Sequence, residues 1–196
     1  MRDAGNIRAL EQEAKPDLMG FICWERSPRH VNDVPEYLPK CPRVGVFVNP
    51  TLGYIQERSN ALGLSIIQLH GKETPDFCRQ AKEATGLQVA KAISVASAED
   101  IALADQYQDA ADLLLFDTKC TCVGGSGEQF DWDVLQDYNG ALPFLLSGGI
   151  GPDDALRIRQ WQHPCCIGID INSRFELQPA LKDVAAVAHF TKQIRQ

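Results

Sequence analysis

The chain has 196 residues, of which 44% are hydrophobic, and this length and composition predict one globular domain spanning residues 1–196. Its net charge of −7 and pI of about 5.1 argue against binding to nucleic acid or to an anionic membrane surface. We find no apolar run near the roughly 18 residues of a membrane span and no signal peptide. Seven scattered cysteines suit reduced thiols better than disulfides, so the predicted location is the cytoplasm.

The first predicted element is a helix that begins almost at once. Asp3 is a typical N-cap residue, Ile7 and Leu10 form an apolar stripe, and Pro16 ends the helix. Every later predicted helix follows a strand. The pattern therefore predicts a further strand immediately before Asp3, which the chain starting at Met1 does not contain.

Short apolar runs alternate with amphipathic helical stretches along the rest of the chain. The runs are hydrophobic almost throughout, which is typical of parallel strands buried on both faces. Strands are predicted at 17–23, 43–48, 65–70, 88–93, 112–117, 143–147 and 166–171, and helices at 51–62, 74–85, 96–106, 132–138, 152–161 and 181–194.

Alternating strands and helices predict an α/β fold with a parallel sheet, which is either doubly wound and open or closed into a barrel. An open sheet would normally have five or six strands and a nucleotide-binding loop after the first. Here seven strands are recognisable, and the glycine-rich loops come late in the chain. The pattern favours a (β/α)8 TIM barrel whose first strand is absent, with an active site at the carboxyl ends of the strands.

Asp117 ends one of these buried runs and is the first candidate for catalysis. A carboxylate at the mouth of a barrel is well placed to act as a general acid or base, although an aspartate that caps a turn is equally compatible with the sequence. Lys119 would favour the ionised form if its side chain folds inward, so the protonation state is left open. The glycine-rich segment 124–127 is predicted to be a flexible loop whose amides can approach an anion or cover a site.

Two further polar segments, 145–155 and 168–176, follow the last two predicted strands. In (β/α)8 barrels this pair of loops commonly binds phosphate through backbone N–H groups and the N-terminus of a short helix. An acidic protein can bind phosphate in this way because the donors are local dipoles. The two segments together predict a phosphorylated ligand.

Arg29 follows the first recognisable strand, at the expected catalytic face. Its guanidinium is the natural bidentate partner of a carboxylate, with a solvated surface arginine as the alternative. His70 also ends a strand, and the sequence favours a structural role for it over a place in the pocket. No metal site is predicted, because the closely spaced cysteines lack the spacing and partners of a zinc site.

Six segments stand out when they are taken in order: GFICWERSPRHV, RVGVFVN, IIQLHG, LLFDTKCTCVGGSGEQFDW, FLLSGGIGPDD and GIDINSRFELQPALKD. Together they resemble the signature segments of the phosphoribosylanthranilate isomerase family. The resemblance implies a (β/α)8 barrel of tryptophan biosynthesis without metal or organic cofactor. It also implies an Amadori rearrangement of N-(5-phosphoribosyl)anthranilate to 1-(2-carboxyphenylamino)-1-deoxyribulose 5-phosphate.

The resemblance also implies residue roles. Asp117 matches the general acid that protonates the furanose ring oxygen, Arg29 matches the arginine that binds the anthranilate carboxylate, and Asp170 matches a supporting polar residue at the last strand. The phosphate end is matched by Gly148, Gly149, Ser173 and Arg174, with Gly125 and Gly127 of segment 124–127. The implied partner is a small phosphorylated substrate, not nucleic acid or a membrane, and the chain is expected to be a monomer or a homodimer.

The chain departs from the family pattern at three places. The family normally begins with a short strand ending in Cys-Gly just before the position of Met1, and that cysteine is the general base. Cys23 stands where an aromatic residue is common, and Ala180 where glycine is common. We therefore expect very low turnover, and a sheet that is destabilised or pairs with a second copy. A catalytically silent barrel that binds phosphorylated ligands or a partner enzyme is the main alternative, and another phosphate-handling barrel enzyme is the third.

Overall fold

Seven parallel strands form one curled sheet, in which each strand pairs with the strand that follows it in the chain. The computed structural model describes residues 1–118 and 131–196. The strands are β1 (Met19–Ile22), β2 (Arg43–Phe47), β3 (Ile66–Leu69), β4 (Gln88–Val95), β5 (Leu113–Thr118), β6 (Phe144–Ser147) and β7 (Cys166–Ile169). A short antiparallel hairpin, β8 (Glu176–Gln178) and β9 (Leu181–Lys182), follows β7.

Six α-helices accompany the strands of the described residues. They are α1 (Ala4–Glu13), α2 (Leu52–Leu62), α3 (Pro75–Thr85), α4 (Ala98–Ile101), α5 (Ala155–Gln160) and α6 (Val184–Ile194). Four of them (α1, α2, α3 and α6) begin at a side-chain cap. The Asp3 carboxylate accepts the Asn6 N–H at 2.7 Å, and Thr51 and Thr74 cap α2 and α3 in the same way. Both of those helices end at a left-handed glycine, Gly63 with φ 56° and Gly86 with φ 68°.

The main core lies between the sheet and its helices and contains large apolar side chains from most of the strands. Phe116 and Phe144 pack edge to face with ring centroids 4.9 Å apart, and Tyr138 meets the Phe144 ring at 5.6 Å. The helix α1 contributes Ile7 and Leu10 to the same cluster. This core fixes the directions of the strands and therefore the positions of the loops that follow them.

The predicted strands and the predicted first helix are confirmed, with strand ends shifted by one or two residues. The predicted helix 181–194 is wrong at its start, because Leu181 and Lys182 form β9 and Asp183 caps a helix that begins at Val184. The segment predicted as helix 132–138 is a 3₁₀ helix at Trp132–Asp137, the tighter form typical of short segments. Within the described residues, β1 and β7 each pair with one strand of the sheet.

Candidate functional site

The candidate site lies at the carboxyl ends of the strands, where parallel pairing brings distant polar residues to one edge. Asp117 on β5 is in register with Ser94 on one side and with Ser147 on the other. Asp170 follows β7, and its backbone N–H donates to the carbonyl of Leu146 at 2.8 Å. The predicted acid and the predicted supporting carboxylate are therefore on the same rim of the sheet.

His70 makes the most direct contact with the predicted acid. Its Nε2 lies 3.2 Å from Asp117 Oδ2, and its Nδ1 lies 3.0 Å from the amide nitrogen of Gln68. One proton lies between His70 Nε2 and Asp117 Oδ2: the ring donates it to an ionised Asp117 or accepts it from a protonated Asp117, according to the tautomer of the ring. Both side chains are part-exposed, at 29% for His70 and 25% for Asp117, so a ligand in the mouth can reach them.

Asp170 is held by its neighbour on the sheet. The hydroxyl of Ser147 donates to Asp170 Oδ2 at 2.9 Å. Burial raises the pKa of Asp170, and it outweighs the opposing effects of that hydrogen bond and of the Lys182 charge. Asp170 therefore sits where an ionised carboxylate is costly, which is typical of a group retained for function.

The loop after β1, which carries Arg29, is fixed by hydrogen bonds to the adjacent unit. Arg58 on α2 donates to the carbonyls of Val31 and Asn32 at 2.8 and 3.1 Å. Within the loop, the backbone N–H of Arg29 donates to the Ser27 hydroxyl at 3.2 Å. These contacts hold the base of the Arg29 side chain at the rim of the sheet.

The guanidinium of Arg29 contacts the carboxylate of Glu176, which was not predicted from the sequence. Its Nε donates to Glu176 Oε2 at 2.8 Å, and its Nη2 lies 2.7 Å from the same oxygen. The other oxygen of Glu176, Oε1, accepts from Lys182 Nζ at 3.2 Å. Burial acts to raise the pKa of Glu176, but the hydrogen bond from Arg29 and the charge of Lys182 prevail and hold it below its usual value.

The two predicted phosphate loops lie next to each other. Gly148 and Gly149 have positive φ angles of 94° and 67°, and the 3₁₀ turn Ser173–Phe175 follows β7. The side chain of Arg174 lies over Gly151, where an added Cβ would be 3.1 Å from Arg174 Cδ. The structure thus brings segments 148–151 and 173–175 together, and their role as an anion site stays a prediction.

Some predicted positions fall outside the described residues, namely Lys119, Cys120, Cys122, Gly125 and Gly127. Cys23 is buried, and its thiol donates to the carbonyl of Phe21 at 3.6 Å. Burial raises the pKa of Cys23, so the thiolate that a general base requires is disfavoured there. In residues 1–118 and 131–196 no cluster of three or more His, Cys, Asp or Glu side chains could hold a metal ion.

Three residues that help to build the site were missed from the sequence, namely Gln68, Glu176 and Lys182. Gln68 stands two residues before His70 on a strand that is buried throughout, where a polar side chain needs a partner. The polar glutamine inside an otherwise apolar run was a usable signal in the sequence. Glu176 and Lys182 offered none, because their meeting depends on a hairpin that the sequence did not predict. Over the described parts of the chain, no helix is long and apolar enough to cross a membrane.

Comparison with known proteins gives one consistent family. A family model described as N-(5′-phosphoribosyl)anthranilate (PRA) isomerase matches residues 6–193. The curated isomerase of that name from Phocaeicola vulgatus is 49% identical over 197 residues, covering 100% of this chain and 95% of the relative. The isomerase from Parabacteroides distasonis is 41% identical over 203 residues, covering 99% and 90%.

Solved structures of phosphoribosyl anthranilate isomerases have a similar fold. The phosphoribosyl anthranilate isomerase of Thermotoga maritima superposes with a TM-score of 0.85 at 29% identity, covering 100% of this chain and 95% of that one. A phosphoribosyl anthranilate isomerase in complex with reduced 1-(o-carboxyphenylamino)-1-deoxyribulose 5-phosphate gives a TM-score of 0.77 at 26% identity, covering 96% and 92%.

Proposed function

The chain belongs to the N-(5′-phosphoribosyl)anthranilate isomerase family, and from that premise we propose how its own residues carry out the reaction. It is a TIM-barrel isomerase of tryptophan biosynthesis. The proposed substrate, N-(5-phosphoribosyl)anthranilate, carries a phosphate at one end and an aromatic carboxylate at the other. Its rearrangement moves hydrogen within one molecule and needs no oxidant or reductant.

We assign the acid step to Asp117. Protonation of the furanose ring oxygen breaks the bond between that oxygen and C1 and gives an open-chain imine. A general base then removes the C2 proton to give an enolamine, and protonation of C1 with loss of the proton of the C2 hydroxyl gives the ketose product. The observation that carries this assignment is the contact of 3.2 Å between Asp117 and His70, which orients the carboxylate at the rim of the sheet.

We assign the carboxylate end and the phosphate end of the substrate to two separate sets of hydrogen-bond donors. Arg29 binds the anthranilate carboxylate, since a guanidinium offers two parallel N–H donors to such a group. The loops containing Gly148, Gly149, Ser173 and Arg174 receive the phosphate, with Gly125 and Gly127 completing that end. Asp170 supports the centre of the site. We further propose that the protein works in the cytoplasm on this small substrate, as a monomer or homodimer, without nucleic acid or membrane.

The test uses the fluorescence of the anthranilate group, which is lost as substrate is consumed. Asp117→Asn should lower kcat by about 10²- to 10⁴-fold, the usual contribution of a positioned acid. Asp109→Asn is the matched control, because it changes an exposed aspartate before the same strand and should leave kcat unchanged. Equal activity of the Asp117 variant and the control would reject the assignment.

The carboxylate assignment is tested separately. Arg29→Ala should raise KM by about 10- to 100-fold, as expected for the loss of a charged hydrogen-bond donor. An unchanged KM, together with unchanged inhibition by free anthranilate, would show that the arginine does not bind this end of the substrate.

A further inference from the structure

We propose that Glu176 is a positioning residue for substrate binding, which holds Arg29 so that its free guanidinium edge faces the substrate carboxylate. This inference rests on the proposed role of Arg29 and extends it to a residue with no role assigned so far. The carboxylate of Glu176 is 4% exposed and the Arg29 side chain is 23% exposed. The buried partner therefore lies behind the guanidinium, and the arginine remains open on its other side.

The hydrogen bonds of Arg29 to Glu176 leave one edge of its guanidinium with N–H donors for a ligand. Glu176 Oε2 lies 2.8 Å from Nε and 2.7 Å from Nη2, so it occupies the Nε edge of the guanidinium. Among the described residues, Nη1 of Arg29 has no hydrogen-bond partner. A guanidinium carries five N–H donors in a rigid plane, so fixing one edge also fixes the direction of the opposite edge.

Glu176 is itself held by three donors and cannot turn freely. Its Oε1 accepts from the ammonium of Lys182 at 3.2 Å and from the backbone N–H of Ala180 at 3.2 Å, while Oε2 accepts from Arg29. Lys182 is anchored in turn by the carbonyl of Asn172 at 2.8 Å. A carboxylate fixed at both oxygens provides a rigid support for a flexible arginine.

The charges lead to the same conclusion. Glu176 is one carboxylate shared between two cations, and Asp170 also acts on Lys182 through space. Glu176 and Asp170 together balance the positive charge of Lys182. The positive charge that remains for a ligand is on Arg29, which is more exposed than Lys182 or Glu176. A substrate carboxylate at Nη1 and Nη2 would complete the balance without displacing Glu176.

The experiment is a double-mutant cycle of Glu176→Gln and Arg29→Ala, with Glu25→Gln as the control that removes an exposed charge from the Arg29 loop. For each variant, KM and kcat are measured, together with inhibition by anthranilate and by inorganic phosphate. In the wild-type background, Glu176→Gln should raise KM and weaken anthranilate inhibition, roughly 10- to 100-fold, while phosphate inhibition and kcat change little. In the Arg29→Ala background the same substitution should add no more than about twofold.

Other outcomes overturn the proposal in distinguishable ways. An equal loss in both backgrounds, or equal weakening of anthranilate and phosphate inhibition, would show that Glu176 only maintains the fold. If Arg29→Ala weakens anthranilate inhibition and Glu176→Gln does not, only the role of Glu176 fails; if Arg29→Ala has no effect, the assignment of Arg29 fails. Should Glu176→Gln not fold, Glu176→Asp keeps the charge on a shorter stem and should raise KM only when Arg29 is present.

Discussion

The substitution Lys91→Met should remove a buried charge network beneath the catalytic rim. The ammonium of Lys91 donates to the carbonyl of Leu69 at 3.0 Å, to the carbonyl of Gly71 at 2.8 Å and to Glu73 Oε2 at 3.0 Å. The side chains of Lys91 and Glu73 are only 3% and 2% exposed. Methionine fills most of the space of the lysine stem, so the change removes the charge and its hydrogen bonds with little change in packing.

The expected loss of folding stability follows from the contacts that Glu73 keeps after the substitution. Glu73 keeps the backbone N–H donors of Asn49 at 2.7 Å and of Gly71 at 2.9 Å, but it has lost its cation in a buried site. Breaking one side of a buried ion pair costs about 3–5 kcal/mol. For a chain of this size that corresponds to a fall in Tm of roughly 6–20 °C, since each kcal/mol is worth about 2–4 °C. Urea unfolding measures the loss of free energy and thermal unfolding measures the fall in Tm, both followed by circular dichroism.

The matched control is Lys82→Met, which breaks the half-exposed ion pair with Asp112 and should cost about 1 kcal/mol or less. Adding Glu73→Gln to Lys91→Met should restore part of the stability, because the orphaned charge is then gone. An amide oxygen in the place of Oε1 still accepts from the N–H groups of Asn49 at 2.7 Å and Gly71 at 3.2 Å. Equal losses for Lys91→Met and the control, or no recovery in the double variant, would refute this account of the network.

Three further substitutions test other parts of the structure. Asp170→Asn should become more stable relative to the wild type as pH rises from about 4 to 7 in unfolding experiments. The raised pKa of Asp170 stabilises the wild type only at low pH, whereas the amide of the variant still accepts from Ser147 at every pH. A constant difference in stability across that range would contradict this. Lys15→Gly should stabilise by about 1 kcal/mol in urea unfolding, because Lys15 is exposed with φ 48°, and no gain would mean that this backbone is not strained. Gly45→Ala should destabilise by about 1–3 kcal/mol, since its Cβ would lie 2.3 Å from Leu64 Cδ1, and a thermal melt at the wild-type Tm would show that Leu64 can move.

Most of the sheet and the first helix could be predicted from the sequence because their signals are local. A strand buried on both faces is mostly apolar, and β3 is buried at every residue with Gln68 as its one polar side chain. A helix N-cap is usually a residue with a short side-chain acceptor, and Asp3 is one for α1. Neither signal depends on what the rest of the chain does.

The hairpin after β7 could not be predicted because its determinants are distant. Asn6 on α1 pairs with Lys182, donating to its carbonyl at 2.8 Å and accepting its backbone N–H at 2.9 Å, across a separation of 176 residues. Ala180 turns the hairpin with φ 69°, a conformation that alanine rarely adopts. The local pattern of 181–194 is helical, and tertiary contacts override its first residues.

In the site, the sequence likewise predicts where side chains lie but not which partners orient them. Asp117, His70 and Arg29 could each be placed at a strand end, but the sequence favoured a structural role for His70 and did not reveal its contact with Asp117. That contact joins β3 to β5, two strands separated by β4, and alternate strands are the ones that contribute side chains to the same layer inside a TIM barrel. The curl of the sheet, which no local segment encodes, therefore decides which polar residues meet.

Each proposed functional group is oriented by a partner from another unit of the barrel. His70 contacts Asp117, Ser147 donates to Asp170, and Glu176 holds Arg29. A strand end can place a side chain on the rim, but a carboxylate or guanidinium on a flexible stem keeps many directions open until a second group restrains it. Since those restraints come from neighbouring units, the chemistry depends on the assembled barrel rather than on any one of the loops.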